Sequence, residues 1–207
     1  MKPKTNTKSI YLATYNQGKI KELSALLAAE GWQVKSLHDL PAEIQPTWIE
    51  DGDTFQANAL IKARSLKGLV KGNILADDSG LVVPALDGAP GVYSARWSGD
   101  QEAPDADVKN NQKLLQELSS CKTPEERQAY FVCSLAFIDE QGEEHFFEGT
   151  CHGHVPMKLQ GQGGFGYDPL FIPKGHTVTL AELGSTEKNR ISHRFHALQQ
   201  LHAYLTS

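Results

Sequence analysis

The chain has 207 residues, 40% hydrophobic and 22% charged, values of an ordinary globular protein that argue against a disordered or fibrous class. That length suits one domain, here with two lobes, whose core needs neither disulfides nor a structural metal. Twenty Lys and Arg against 25 Asp and Glu leave a net charge of −5. This speaks against binding of a nucleic-acid polymer, yet allows a small basic pocket for one anionic ligand.

Residues 1–8 are basic, and the apolar run after them, Ile10–Ala13, is too short for a signal-peptide core. They read as a flexible tail before a single domain over residues 9–207. No apolar run is long enough to cross a bilayer, so no membrane partner is expected. Ser9–Thr14 predicts a strand, Asn16–Lys19 a polar turn, and Ile20, Leu23, Leu26 and Leu27 a helix that Gly31 ends. Gln33–Ser36 is a second strand. Asp53-Thr54-Phe55-Gln56 has the form of a capping box, opening a helix carried by Phe55, Ala59, Leu60, Ala63 and Leu66. Gly72–Ala76 is a short buried strand that runs into Asp77-Asp78-Ser79-Gly80, after which Leu81–Val83 resumes the apolar pattern. Val108, Leu114, Leu115 and Leu118 mark another helix. Tyr130–Ile138, a turn at Asp139–Gly142 and Glu144–Val155 form a long β-hairpin. A last helix begins near Ser192 and packs through Phe195, Leu198, Leu201 and Leu205. The expected class is mixed α/β: a central mixed sheet, flanking helices and the hairpin. The cysteines Cys121, Cys133 and Cys151 are an odd set without a CxxC, as for reduced thiols in a cytoplasmic protein.

Four constellations carry chemistry. Thr14-Tyr15-Asn16-Gln17-Gly18-Lys19 lies at a strand-to-helix turn, where backbone N–H groups, the helix dipole and a lysine attract phosphate. It is not a Walker A motif, and a capping Asn with a solvated Lys is the plain alternative. Asp77 and Asp78, at a strand end, are costly unless neutralised, which points to magnesium, while an Asx-turn explains them equally well. Glu50-Asp51-Gly52-Asp53 reads as a solvated loop unless the fold brings it to Asp78. Gly161–Pro169 combines glycines, which allow close approach of a ligand, with Phe165 and Tyr167 as stacking faces and Asp168 as an acceptor. Lys188, His193 and Arg194 stand near the amino end of the last helix, where cations are misplaced unless an anion is expected. Lys62 would be unremarked alone. Together these features name a nucleotide: bases for phosphates, acids for a cation, a glycine-aromatic loop for a nucleobase. No third ligand accompanies His152 and His154 for a zinc site, and no nucleophile elbow is present.

Thr14-x-Asn16-x-x-Lys19, Asn58-Ala59-x-x-Lys62-Ala63, Asp77–Gly80, Gly88-Ala-Pro-Gly91-x-Tyr93-Ser94-Ala95-Arg96, Gly163–Pro169 and Ser192-His193-Arg194 occur in one order along nearly the whole chain. In this set the chain resembles the inosine triphosphate pyrophosphatase family, also called XTP/dITP diphosphatases. The resemblance implies a two-lobed α/β fold with a ligand cleft between the lobes, usually as a homodimer. It implies hydrolysis of ITP, dITP or XTP to monophosphate and pyrophosphate with Mg2+. Thr14 to Lys19 (Tyr15, Asn16, Gln17 and Gly18 included) and Lys62 would hold the triphosphate, and Glu50 and Asp78 the metal. Asp78 would also accept the proton, and Ser79 would contact substrate. Phe165, Gly166, Tyr167, Asp168, Lys188, His193 and Arg194 would surround base and sugar. Two departures stand out: Tyr15 replaces a common glycine, and Ala57 replaces the usual Glu. A Maf-like pyrophosphatase for other nucleotides and a nucleotide sensor weakened in catalysis are the competing readings.

Overall fold

A computed structural model describes residues 8–41, 43–99 and 103–207. The expected tail, residues 1–8, lies outside the described residues except for Lys8. Strand β1 (Ser9–Leu12) alternates half-buried and buried positions, with Ile10 and Leu12 inward. Helix α1 (Gln17–Ala29) starts where Asn16 Oδ1 accepts the Lys19 N–H at 3.0 Å, and it buries Leu23 and Leu27. Gly31, at φ 82°, turns the chain into β2 (Gln33–Lys35). Helix α2 (Phe55–Leu66) is capped by Thr54, whose hydroxyl accepts the Ala57 N–H at 3.1 Å. The cap therefore sits one residue later than the sequence suggested, and no capping box closes, because Ala57 has no carboxyl to return the bond.

A larger difference concerns β3 (Asn73–Val82). It is one continuous ten-residue strand, so Asp77–Gly80 lies inside it rather than in a turn at its end. Helix α3 (Ala106–Glu117) buries Asn110, Asn111 and Leu114, while Val108, expected inward, is exposed. Strands β4 (Gln128–Ile138) and β5 (Glu144–His154) form the expected hairpin, closed by the Asp139 N–H bond to Glu143 O. Besides short 3-10 turns, the strand β6 (Ile172–Pro173) and helix α4 (Leu180–Ile191) escaped the sequence reading. Gly184, at φ 77°, interrupts α4 and with it the apolar periodicity that would have announced a helix. Helix α5 (His193–Thr206) follows directly.

The sheet order is β2-β1-β3-β4-β5-β6. Strand β1 is parallel to β2 and β3, and β5 is antiparallel to β6, so the sheet is mixed as expected. Contacts divide the chain into two units. Unit 1 runs to Asp78 and adds Ser134–Phe147 and Ala197–Ser207; its core joins Leu37, Ala59, Ala63, Leu66, Ile74 and Ile138. Unit 2 comprises Ser79–Cys133 and Glu148–His196; its core joins Leu81, Leu114, Leu118, Phe131, Leu170 and Phe171. Cys121, Cys133 and Cys151 form no disulfide. No helix among the described residues is long and apolar enough to cross a membrane.

Unit 2 is pinned by Arg127, a residue the sequence did not single out. Its buried guanidinium donates to Leu118 O and Val155 O, each at 2.7 Å, to Pro156 O at 2.8 Å and to Cys121 O at 3.2 Å. One side chain thus donates to carbonyls just after α3 and just after β5 and ties the two segments together. Arg127→Met keeps the volume and removes every donor. We expect a loss of about 3 kcal/mol or more, seen as a fall in Tm of roughly 6–12 °C in a thermal melt.

Candidate active site

In unit 1 the parallel pairing of β1 with β3, Leu12 opposite Leu75, brings the turn after β1 level with the acidic pair on β3. The carboxyl ends of parallel strands are where α/β sheets bind ligands. Thr14 Oγ1 accepts the Asn16 N–H at 3.2 Å, which with the Asn16 cap fixes the turn and sets Lys19 in the first turn of α1. Lys19 Nζ lies 3.1 Å from Asp77 Oδ2. Gln17 Nε2 stands 2.8 Å from a ring nitrogen of His38, and Gly18 follows Gln17 in the first turn of α1. The Tyr15 ring turns away from the turn itself. It stacks on Trp48 with centroids 5.2 Å apart, and its hydroxyl donates to Pro46 O at 2.9 Å. Its bulk is thus engaged by the Pro46–Trp48 segment.

Lys62 is the hub of this group. Its ammonium is 2.8 Å from Asp78 Oδ1 and 3.1 Å from Glu50 Oε1, and Glu50 also accepts the Trp48 indole N–H at 3.3 Å. The fold does bring the acidic loop to Asp78, so Glu50 is no solvated residue. Loop and helix are further joined by Asn58, whose Oδ1 accepts the Gly52 N–H at 2.9 Å. Asp77 is fully buried and Asp78 only 5% exposed, an arrangement tolerated mid-strand because each meets an ammonium. Burial pushes the Asp78 carboxyl above its ordinary value, and Lys62 and Lys19 only partly oppose it. Burial also works against Glu50, but there the nearby Lys62 prevails and holds it below the ordinary value. Lys62 is itself desolvated, yet Asp78, Glu50 and Asp77 keep it protonated, with its pKa raised.

Among the described residues no three or more His, Cys, Asp or Glu side chains converge as a metal cage. What unit 1 offers is the Glu50–Asp78 pair, in which the buried Asp78 Oδ2 makes no hydrogen bond among the described residues. A carboxylate pair with an uncommitted buried oxygen fits a hard divalent cation that takes its other ligands from water and phosphate.

Unit 2 gathers the remaining candidates. Gly164 has φ 75°, and a Cβ there would fall 1.9 Å from Asp168 Oδ2, so only glycine fits this turn. Asp168 Oδ2 accepts the Phe165 N–H at 3.0 Å and pairs with Lys188 Nζ at 2.5 Å. The half-buried Phe165 ring lies 4.7 Å from Lys188 Nζ and 5.3 Å from the Arg194 guanidinium carbon. Arg194 Nη2 donates to Ser79 Oγ at 2.7 Å, and the His193 ring stacks on Phe131 at 4.8 Å. Two expectations need correcting. Tyr167 offers no stacking face: it is buried, and its hydroxyl donates to Ser94 O at 2.9 Å. The three basic residues do not share one helix start either. Lys188 lies in the last turn of α4, where a cation suits the dipole, and only His193 and Arg194 open α5.

The structure thus groups Thr14, Asn16, Lys19, Glu50, Lys62 and Asp78 in unit 1, and Ser79, Phe165, Asp168, Lys188, His193 and Arg194 in unit 2. Sequence reasoning missed Trp48, Asp107 and Asn111. Trp48 gave no signal, whereas Asn111, three residues before Leu114 on a helix, marked a polar group on an apolar face.

A family profile described as the Ham1 family matches residues 10–204. A protein of Halalkalibacterium halodurans named dITP/XTP pyrophosphatase is 46% identical over 196 residues, 94% of this chain and 97% of that relative. One of the same name from Oceanobacillus iheyensis is 44% identical, over 96% of this chain and 98% of its own. The solved Staphylococcus aureus Ham1 protein superposes with a TM-score of 0.81 at 35% identity, covering 96% of this chain and 98% of that one. Motif order, mixed sheet and near-complete coverage agree, and the chain belongs to the Ham1 family.

Proposed function

We infer that this chain is a nucleoside-triphosphate pyrophosphatase that hydrolyses non-standard purine nucleotides (dITP, ITP, XTP) to monophosphate and pyrophosphate. Its relatives' names support the activity. The observation that carries the chemistry is the buried Asp78, paired through one oxygen with Lys62 while the other makes no hydrogen bond among the described residues.

In this reading Lys19, Lys62 and the N–H groups of the Thr14–Lys19 turn receive the phosphates. Glu50 and Asp78 would hold Mg2+, which when bound neutralises phosphate charge. Asp78 orients the attacking water and takes its proton, the role its environment suits, since burial keeps the carboxyl more basic than usual. Lys188 and Arg194 serve the base. Both are donors only, so they suit the 6-carbonyl of hypoxanthine or xanthine and leave the 6-amino group of adenine facing another donor. Phe165, held beneath these two cations, forms one wall. The reading extends to a cytoplasmic homodimer, the compartment being supported by three cysteines that form no disulfide.

Pyrophosphate release from dITP, XTP, dATP, dGTP and dTTP, with and without magnesium, tests it. Magnesium-dependent release from dITP and XTP, with little from the standard nucleotides, is expected. Release chiefly from dTTP would establish the Maf-like reading instead. No release, with dITP still raising Tm, would establish a sensor.

A further inference from the structure

Gly166 sits between the two aromatics of the glycine-rich loop, at φ 61°. Both of its backbone polar groups are taken by one helix face. Asp107 Oδ2 accepts the Gly166 N–H at 2.7 Å, and Asn111 Nδ2 donates to Gly166 O at 2.9 Å. The two residues are four apart on α3, the spacing that places side chains side by side. The neighbouring Asn110 holds the preceding turn, donating to Ser94 O at 3.2 Å and Ala95 O at 3.1 Å while accepting the Ser98 N–H at 2.8 Å. Ser94 O also receives the Tyr167 hydroxyl. The loop is therefore fastened at consecutive residues, Gly166 through its backbone and Tyr167 through its side chain.

Asn111 is an expensive way to build a helix. It is 4% exposed, and its Oδ1 makes no hydrogen bond among the described residues. An apolar side chain of similar size would leave no such acceptor stranded. A polar group kept at a cost to the fold is expected where function needs it, and here the need is the bond to Gly166 O.

We propose that Asp107 and Asn111 are positioning residues for base recognition: by clamping the Gly166 peptide from both sides they fix the Phe165 ring beneath Lys188 and Arg194. The proposal rests on the nucleotide reading above. Neither residue touches the reacting phosphates, so the clamp acts on affinity and base choice rather than on the chemical step.

Steady-state kinetics on Asp107→Ala, Asp107→Asn and Asn111→Leu, with amide exchange at Gly166, test this. In Asp107→Ala and Asn111→Leu, KM for dITP should rise about 3–10-fold, the scale of one lost hydrogen bond. The dITP-over-dATP ratio of kcat/KM should fall to match, with kcat and inhibition by inorganic triphosphate within twofold of wild type. Asp107→Asn, which keeps an acceptor, should recover most of the loss, and Asn111→Leu should melt no lower than wild type. Gly166 amide protection should drop in Asp107→Ala. An unchanged base preference despite lost protection would overturn the proposal, leaving the bonds merely structural, as would an Asp107→Asn no better than Asp107→Ala. Should the wild-type chain hydrolyse no nucleotide, the functional reading falls separately, and retained Gly166 protection in Asp107→Ala would still refute the clamp.

Discussion

Asp78→Asn should lower turnover of dITP by about 10²–10⁴-fold, the usual contribution of a positioned general base, without lowering the melting temperature. The two halves of that expectation share one cause. Burial raises the Asp78 pKa above its ordinary 3.8, so the folded chain holds the proton more tightly than the unfolded chain does. A carboxyl with that sign of shift loses stability for the fold as pH rises through its raised value. At neutral pH the ionised Asp78 is therefore a burden on the fold, relieved by an amide of the same shape whose carbonyl still faces Lys62. Kinetics and a melt at pH 7.5 check both. A variant that melted well below wild type would show that the Lys62 pair outweighs the burial.

Lys62→Met should act in the opposite sense on stability. It removes the ammonium that lies within 3.1 Å of both Glu50 and Asp78 and puts a non-polar side chain against the two carboxylates. Breaking a buried pair from one side costs about 3–5 kcal/mol, chiefly from the charge left behind. Turnover should fall as well, since the same ammonium receives phosphate. The stability defect carries its own signature. Without Lys62 the Asp78 pKa rises further, so the penalty is largest at alkaline pH, shrinks as pH falls through the raised value, and vanishes below 3.8, where both states are protonated. Urea titrations at pH 4.5 and pH 8 should show it, the larger deficit at pH 8. An equal deficit at both would mean lost packing rather than stranded charge.

What the sequence revealed followed the range of the interactions involved. Leu23 and Leu27 on α1, Ala59, Ala63 and Leu66 on α2 and the β4–β5 hairpin were legible because periodicity is local. Asp77 and Asp78 looked like a strand end because two acids inside a buried strand are unfavourable on local grounds. Lys19 and Lys62, 58 and 16 residues away, reverse that balance, and no window of sequence contains them both with their partners. Helix α4 was hidden by Gly184, and Lys188 was consequently assigned to the wrong helix end. The candidate site residues were found as types in motifs, whereas their anchors were not. Trp48 stacks on Tyr15, and Asp107 and Arg127 hydrogen-bond to other segments of the chain; such contacts leave no repeating trace in a sequence.

Arg127 carries a consequence for how this chain comes apart in acid. Most ion pairs in a protein dissolve as their carboxylates take up protons, and the Lys62 and Arg64 pairs will do so here. A guanidinium bonded to four carbonyl oxygens has no partner that acid can remove. The segments it ties, the end of α3, the start of β4 and the exit from β5, include Leu118, Ala129 and Val155 of the unit 2 core. They are therefore expected to keep their amide protection longest as the pH is lowered, which hydrogen exchange through an acid titration would check.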